Sequence, residues 1–186
     1  MTAAELHKYP CDLRLDPHTA HTRLLLSEEN RTVTCVSKSQ PYPDHPDRFD
    51  DVLQVLCKES LSGRCYWEAE WSGTVGISVT YKGICEKGPI DCMFGSNDKS
   101  WSLIYYNNSL SVRHNDKSTD IPDISLSSNR VGVYVDVSTG TISFYSVSDT
   151  QTLTHIHTFR NRFTQPVYAG FRVHYNSSVS QCDIMV

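Results

Sequence analysis

Two glutamates two positions apart, Glu68 and Glu70, have the spacing in this sequence that most resembles a catalytic pair. They stand in the segment GRCYWEAEWSG, Gly63 to Gly73, which also contains Trp67 and Trp71. In a β-strand, side chains at positions i and i+2 point to the same face of the sheet. Paired carboxylates flank the scissile bond in glycoside hydrolases, where aromatic rings can stack on the sugar. The segment therefore raises the hypothesis of a sugar-cleaving site.

The same alternation argues against that hypothesis. If the strand runs from Cys65 to Trp71, both tryptophans share one face with Cys65 and Ala69, and both glutamates share the other face with Tyr66. The tryptophans then point away from the carboxylates and cannot line one cleft with them. A third acidic residue, which sandwich glycosidases place in their motif, is missing. We interpret the first face as core and the second as a polar face, exposed to solvent or satisfied by neighbouring Arg or Lys side chains.

Other residues that could carry chemistry are equally weak candidates. His155 and His157 alternate on one strand face, but no third ligand stands at a suggestive spacing for a metal. Cys85 and Cys92 flank EKGPID without the two-residue spacing of a zinc or redox motif, so we expect loop thiols. No serine stands in a G-x-S-x-G elbow. The sequence thus predicts no enzyme, no metal and no cofactor.

Composition excludes several classes of partner. The 186 residues are 39% hydrophobic and carry a formal net charge of −4, which fits one globular domain and gives no basic patch for nucleic acid or an anionic membrane. The N-terminus lacks the apolar core of a signal peptide, and no stretch approaches a membrane span. The seven cysteines are odd in number and scattered. We therefore expect a cytoplasmic monomer with reduced thiols.

Short runs rich in Val, Ile, Thr, Tyr and Phe, broken by turn residues, predict an all-β antiparallel sandwich with one short helix near Ala3–Lys8. In Arg130–Val137 the valines alternate onto one face, and in Trp101–Tyr106 the residues Ser102, Ile104 and Tyr106 point away from Trp101. The predicted strands are Thr22–Leu26, Thr32–Val36, Val52–Cys57, Cys65–Trp71, Val75–Tyr81, Met93–Gly95, Trp101–Tyr106, Ser109–His114, Arg130–Val137, Thr141–Val147, Thr152–Phe159, Val167–Val173 and Ser180–Ile184.

Five motifs in order resemble the PRY-SPRY family over Pro10 to Val186. They are LRLDPHTAHTRLLLSEENRTV, RFDDVLQVLCKESLSGRCYWEAEW, SWSL, VGVYVDVSTGTISFYSV and FTQPVYAGF. Ala69 and Ala169 replace a Val and a Pro that are usual in the family. The resemblance implies a bent sandwich of two sheets, SPRY and concanavalin-like, with a PRY part at about 10–60, an SPRY part at about 61–186 and a helical extension at 1–9.

The resemblance also implies a function. Family members bind proteins through variable loops at one rim of the sandwich and have no known catalytic role. They form the C-terminal, target-recognising part of tripartite-motif ubiquitin ligases, butyrophilins and some NOD-like receptors, so we expect this chain to be the target-recognition domain of a tripartite-motif ubiquitin ligase in innate immunity. A NOD-like receptor or a related immune protein, and a lectin-like sugar binder, remain alternatives. We expect a protein or peptide as partner.

The candidate binding residues lie in the loops that the family uses and on one strand, and their types are those favoured at interfaces. The loop Ser37–Asp51 is restricted by three prolines, Pro41, Pro43 and Pro46, so it should present its side chains at a lower entropic cost. The predicted ligand-binding residues are Tyr42, His45, Arg48, Phe49, Tyr81, Met93, Ile104, Tyr106, Arg162 and Phe163.

Overall fold

Two antiparallel β-sheets contain nearly all of the regular structure. The computed structural model describes residues 1–85, 89–124, 126 and 128–184, and within them the chain forms two short helices and thirteen strands. The helices are α1 (Ala3–Leu6) and α2 (Pro89–Cys92). The strands are β1 (Leu24–Ser27), β2 (Thr32–Cys35), β3 (Gln54–Leu61), β4 (Arg64–Ser72), β5 (Val75–Tyr81), β6 (Ser100–Tyr106), β7 (Ser109–His114), β8 (Lys117–Ile121), β9 (Arg130–Asp136), β10 (Thr141–Val147), β11 (Leu153–Arg160), β12 (Val167–Val173) and β13 (Ser178–Cys182).

One sheet has seven strands in the order β1-β2-β13-β4-β9-β10-β11, and the other has six in the order β3-β12-β5-β6-β7-β8. Neighbouring strands are antiparallel throughout both sheets. The all-β sandwich of two sheets with a short N-terminal helix, predicted from the sequence, is therefore confirmed.

Alternation places the core between the sheets. On β9, Val131, Val133 and Val135 are all fully buried and belong to one large apolar cluster. Trp67 and Trp71 of β4 join the same cluster, so they face away from Glu68, as the alternation predicts. On the facing sheet the inward positions include residues of β5, β6 and β12. Burial of these apolar side chains, worth roughly 25 cal/mol per Å² removed from water, holds the two sheets together.

Helix α1 covers part of the outer face of the seven-stranded sheet. It begins with a capping box, in which Thr2 Oγ1 accepts from the Glu5 amide at 3.2 Å and Glu5 Oε2 accepts from the Thr2 amide at 3.0 Å. Its Leu6 is fully buried and packs in a small cluster with Tyr66 and two further tyrosines. The helix ends at Leu6, two residues before the predicted end, and the chain then pairs Pro10 with Tyr66.

A segment without strand structure, Cys92–Asn97, lies over the outer face of the six-stranded sheet; we call it the cover segment. The Gln54 amide holds it, because Nε2 donates to the Cys92 carbonyl at 2.6 Å and Oε1 accepts from the Phe94 amide at 2.9 Å. The Phe94 ring fills the space above Gly170, where a Cβ would lie 2.8 Å from it. The predicted strand Met93–Gly95 is therefore wrong, since side-chain bonds from Gln54 fix this stretch instead of a strand ladder.

Two further expectations need correction. Strand β8 was not predicted, because its residues Lys117–Ile121 are polar and exposed and show no hydrophobic alternation. Cys85 and Cys92 form a disulfide, so the expectation of reduced loop thiols is wrong for this pair. The other five cysteines, Cys11, Cys35, Cys57, Cys65 and Cys182, are free.

Candidate functional site

Glu68 is the centre of a buried polar cluster and not half of a catalytic pair. Its side chain is 1% exposed, and its Oε1 accepts two hydrogen bonds from the guanidinium of Arg130, one of them at 2.8 Å. The Tyr66 hydroxyl donates to Oε2 at 2.6 Å, and His7 Nε2 of the N-terminal segment lies 3.5 Å from the same oxygen. Glu70, by contrast, is exposed. The expectation of a solvent-exposed glutamate is thus wrong for Glu68, while its pairing with an arginine agrees with the alternative interpretation.

The environment of this cluster fixes the roles of its members. Burial, together with the hydrogen bond to Glu68, raises the pKa of Tyr66 far above its ordinary value. Burial disfavours the charged form of Arg130, but the bonds to the Glu68 carboxylate outweigh it and raise the pKa of Arg130. Three side chains lie against the oxygens of Glu68, which is 1% exposed, so the carboxylate is closed to a sugar substrate. Glu68 therefore anchors structure.

The proline-rich loop, residues 37–51, is tied down by Arg48. The guanidinium donates two bonds to the Pro43 carbonyl, at 3.1 and 2.9 Å, and one each to the carbonyls of Pro17 and Ala20, at 2.8 and 2.7 Å. Arg48 is 8% exposed and Phe49 is 5% exposed. The expectation that the loop presents these two side chains on the surface is wrong, because both act as internal anchors.

The other candidate residues of this loop also make internal contacts. The Tyr42 hydroxyl donates to the Leu24 carbonyl at 2.7 Å, and the Arg48 guanidinium stacks over the Tyr42 ring at 4.9 Å. His45 is half-buried, and its imidazole stacks on His18 with ring centres 4.5 Å apart. The loop is thus held in one conformation by polar and aromatic contacts in addition to its prolines.

A small cavity of about 120 Å³ lies between this loop and the segment that follows β5. Arg48, Phe49 and Tyr81 line it, and Lys82 bridges its two walls through a 3.5 Å ion pair with Asp47. The structure thus brings three of the predicted residues together at one point. The segment from Tyr81 to Cys85 borders this cavity, and residues 86–88 after it lie outside the described part of the chain.

Tyr81 and Phe163 meet the core at this end of the sandwich. The Phe163 ring packs edge-on against Trp101 at 5.4 Å and against Tyr81 at 6.4 Å. The Tyr81 hydroxyl accepts from the Thr164 amide at 3.0 Å, which fixes the loop after β11. Phe163 stays half-buried, and Arg162 beside it is exposed.

Ile104 and Tyr106 lie elsewhere, on the outer face of the six-stranded sheet. As predicted from the parity of β6, Trp101 is buried at 1% exposure while Tyr106 is 65% exposed. Tyr106 follows Tyr105, which pairs with Val75 at the start of β5. Tyr81 ends β5, six residues after Val75. At about 3.3 Å per residue the separation along the strand is roughly 20 Å. The ten predicted residues therefore do not form one continuous surface.

Met93 and the two histidines of β11, His155 and His157, lie in two other parts of the domain. Met93 of the cover segment is half-buried against the apolar cluster of Phe49 and Phe94. His155 is exposed and hydrogen-bonded to Thr158 at 2.7 Å, and His157 is half-buried against Phe159. Within the described residues, no group of three or more His, Cys, Asp or Glu side chains has the arrangement of a metal site.

Two arginines on the outer face of the six-stranded sheet, Arg113 on β7 and Arg172 on β12, were not predicted from the sequence. Both stand beside inward-facing valines, Val112 and Val173, so the period-two alternation that placed Tyr106 also predicts that they point outward. That the two arginines share one sheet face, with β5 and β6 between their strands, follows only from the strand order, which the sequence pattern does not give.

Comparisons with known proteins identify the kind of domain. Residues 13–61 match the family model of the SPRY-associated domain, PRY, and residues 64–183 match that of the SPRY domain. The chain is 44% identical over 171 residues to stonustoxin subunit beta of Synanceia horrida, covering 91% of the chain and 24% of that protein. It is 40% identical over 175 residues to tripartite motif-containing protein 16 of Mus musculus, covering 91% of the chain and 31% of that protein. The chain thus spans a quarter to a third of these relatives.

A solved structure agrees with this grouping. The crystal structure of the TRIM65 PSpry domain superposes with a TM-score of 0.86 at 26% identity, covering 97% of this chain and 94% of that one. No helix in the described residues has the length and apolar character needed to cross a membrane.

Proposed function

The chain belongs to the PRY-SPRY family, and from this premise we propose that it is a non-catalytic module that recognises a protein ligand. The observation that carries the proposal is an exposed aromatic side chain on an ordered strand. Tyr106 is 65% exposed at the end of strand β6, so its ring is open to contact by a ligand. Tyrosines in such positions often supply much of the binding energy of a protein interface.

We define the outer-face surface as Ile104, Tyr106, Ser111 and Arg172. Ile104 pairs with Ser111 on one side and with Gly76 on the other, and Gly76 pairs with Arg172, so the surface crosses four neighbouring strands. The cover segment borders it, because Gln54, which holds that segment, is the other register partner of Arg172.

The rigidity of the cover segment and the proline-rich loop supports binding at the outer-face surface. The cover segment is fixed by Gln54, and the proline-rich loop packs on it through the edge-on contact of Phe49 with Phe94 at 5.7 Å. Because these borders are ordered before a ligand arrives, little conformational entropy is lost on binding. The predicted contacts by Tyr42, His45, Met93 and Arg162 remain predictions for a larger ligand that also reaches the loops.

Two host proteins have support from the comparisons. One is a tripartite-motif ubiquitin ligase acting in innate immunity, in which this domain selects the target; the similarity to tripartite motif-containing protein 16 supports it. The other is a subunit of a larger toxin-like protein, which the similarity to stonustoxin subunit beta favours. In both hosts the domain binds another polypeptide. A NOD-like receptor stays a further alternative, as does a cytoplasmic location.

The experiment that tests the function presents the folded domain to two libraries. A displayed library of protein fragments is selected for binding, and a glycan array is probed with the same preparation. The proposal expects protein fragments that bind reproducibly and saturably, with no glycan above background. Robust sugar binding together with an empty protein selection would establish the lectin-like alternative instead.

A further inference from the structure

Two cysteines, Cys11 and Cys65, flank the contact that joins the N-terminal segment to strand β4. Pro10 forms a parallel bridge with Tyr66, in which the Tyr66 amide donates to the Tyr9 carbonyl at 2.7 Å and the Cys11 amide donates to the Tyr66 carbonyl at 3.2 Å. Cys11 follows Pro10 and Cys65 precedes Tyr66, so alternation directs both thiols to the side of β4 opposite to the Tyr66 ring. This is the core side, where Cys65 belongs to the large apolar cluster and Cys11 packs against that cluster. The fold therefore brings two thiols that are far apart in sequence to one side of a single bridge.

The two thiols are hydrogen-bonded to each other, and this bond makes them chemically different. The Cys11 thiol donates to the Cys65 sulfur, and this bond outweighs burial and lowers the pKa of Cys65 below the usual value of a cysteine. The same bond, together with burial, raises the pKa of Cys11. A thiolate is therefore favoured at Cys65, next to a thiol that keeps its proton at Cys11.

The other free cysteines lack this combination. Burial raises the pKa of Cys35, Cys57 and Cys182, in the last case to about 11. Cys57 is 2% exposed, and its sulfur accepts from the Gln181 amide at 3.5 Å. The thiolate is the form of cysteine that reacts with oxidants, so these three cysteines should be unreactive near neutral pH. Among the free cysteines of the described residues, Cys65 alone combines thiolate character with a neighbouring thiol.

We propose that Cys11 and Cys65 form an oxidation-sensitive pair, which hydrogen peroxide converts into a disulfide. The Cys65 thiolate attacks one oxygen of the peroxide, the O–O bond breaks, and the other oxygen takes up a proton and leaves as water. The resulting sulfenic acid at Cys65 is attacked by the Cys11 thiol, which forms the S–S bond and releases a second water. The two thiols lose two electrons in total, and the peroxide accepts them. Peroxide is small enough to approach through Cys11, which is half-buried beside Cys65.

The disulfide fastens the N-terminal segment to the seven-stranded sheet. Before Cys11 this segment carries α1, whose Leu6 is fully buried, and His7, whose Nε2 lies 3.5 Å from Glu68 Oε2. A helix of four residues is not stable without tertiary packing, so α1 depends on its docking. A cross-link at Cys11 keeps the segment close to β4 whenever these contacts open, and it also constrains the unfolded chain. Oxidation therefore stabilises the cover over the Glu68 cluster, independently of ligand recognition at the outer-face surface.

Peptide mapping tests the proposal, because trypsin places each free cysteine on a peptide of its own. Cys11 falls in residues 9–14 and Cys65 in residues 65–82. The folded domain is treated with hydrogen peroxide at neutral pH, alkylated with N-ethylmaleimide and digested without reduction. We expect the cross-linked peptide 9–14 with 65–82 to form while Cys182 is still alkylated. Oxidation of Cys182 before any such cross-link appears, or a link from Cys65 to a different cysteine, would overturn the proposal.

Variants test the order of the two steps. Cys11→Ser removes the thiol that resolves the sulfenic acid, so labelling of Cys65 by dimedone, which traps sulfenic acids, should rise at least about fivefold over the wild type. Cys65→Ser should leave Cys11 open to alkylation after the same treatment. Cys182→Ser is the matched control and should form the cross-link at the wild-type rate. Dimedone labelling that Cys11→Ser does not increase would refute the mechanism, and the wild-type mapping decides the proposal even if Cys65→Ser does not fold.

Stability reports the consequence of the cross-link. The oxidised wild type should unfold at a temperature at least about 5 °C higher than the reduced wild type, because the cross-link closes a long loop of the unfolded chain. Amide hydrogen exchange in α1 should slow on oxidation, and the Cys11→Ser protein treated in the same way should show neither effect. Unchanged exchange in α1 of the cross-linked protein would contradict the fastening of the N-terminal segment.

Discussion

Replacing Arg130 by Met should destabilise the domain strongly, because it leaves the Glu68 carboxylate buried without its cation. Removing one partner of a buried ion pair costs about 3–5 kcal/mol. The Arg130 side chain is 21% exposed and Glu68 is 1% exposed, so some screening by water reduces this figure. The Tyr66 hydroxyl also remains as a donor. We expect a loss of about 2–4 kcal/mol in the free energy of unfolding.

Urea denaturation at neutral pH measures this loss, and thermal unfolding should show it as a drop of roughly 4–16 °C, since 1 kcal/mol shifts a domain of this size by about 2–4 °C. Arg160→Met is the control and should change stability by less than about 0.5 kcal/mol. The double variant Glu68→Gln with Arg130→Met should regain part of the loss, because no unpaired charge remains. A loss below about 0.5 kcal/mol for Arg130→Met, or no recovery in the double variant, would refute the view of Glu68 as a structural anchor.

Three further predictions concern single residues. Arg48→Met removes four hydrogen bonds to carbonyls, so it should cost about 2–3 kcal/mol in urea unfolding and speed amide hydrogen exchange in residues 37–51; unchanged exchange would show that the prolines suffice. Gly132→Ala should cost about 1–3 kcal/mol, because its Cβ would lie 2.1 Å from the Tyr66 hydroxyl; wild-type stability would mean that Tyr66 moves freely. Arg172→Gln should leave stability unchanged or raise it by up to about 1 kcal/mol, because it removes a half-buried charge that has no ion-pair partner within the described part of the chain, and a clear loss of stability would reveal a structural role.

Local pattern was enough to predict most of the fold. Twelve strands coincide with predicted ones to within a few residues, and the parity of Trp101 and Tyr106 is as expected, because alternation is a property of the strand itself. Strand β8 was not predicted because it is an exposed edge strand, and its mostly polar residues show no alternation of apolar and polar side chains. The segment at Met93–Gly95 has strand-like composition but is held by the side chain of Gln54, forty residues away from Phe94 in sequence.

The site was less predictable, because its properties depend on contacts between distant segments. Arg48 has the composition of an interface residue, and only the folded position of the Pro17 and Ala20 carbonyls turns it into an internal anchor. Glu68 was expected at the surface, but α1 and the chain after it cover it. Arg172 was not singled out from the sequence, because its lack of a hydrogen bond or ion pair among the described residues depends on the assembled sheet and not on its neighbours in sequence.

The affinity of Tyr106→Ala for a selected protein fragment tests the central claim most directly. Leu25→Ala is the control, because Leu25 is a comparably exposed apolar residue, 40% exposed, on the edge strand of the other sheet. Both variants should fold with wild-type stability, which circular dichroism and urea unfolding check. Recognition at the outer-face surface predicts that calorimetric titration finds at least about tenfold weaker binding for Tyr106→Ala and no change for Leu25→Ala, as expected for a hot-spot aromatic. Wild-type affinity of Tyr106→Ala, with loss of binding in Leu25→Ala, would place the ligand on the seven-stranded sheet and contradict the account.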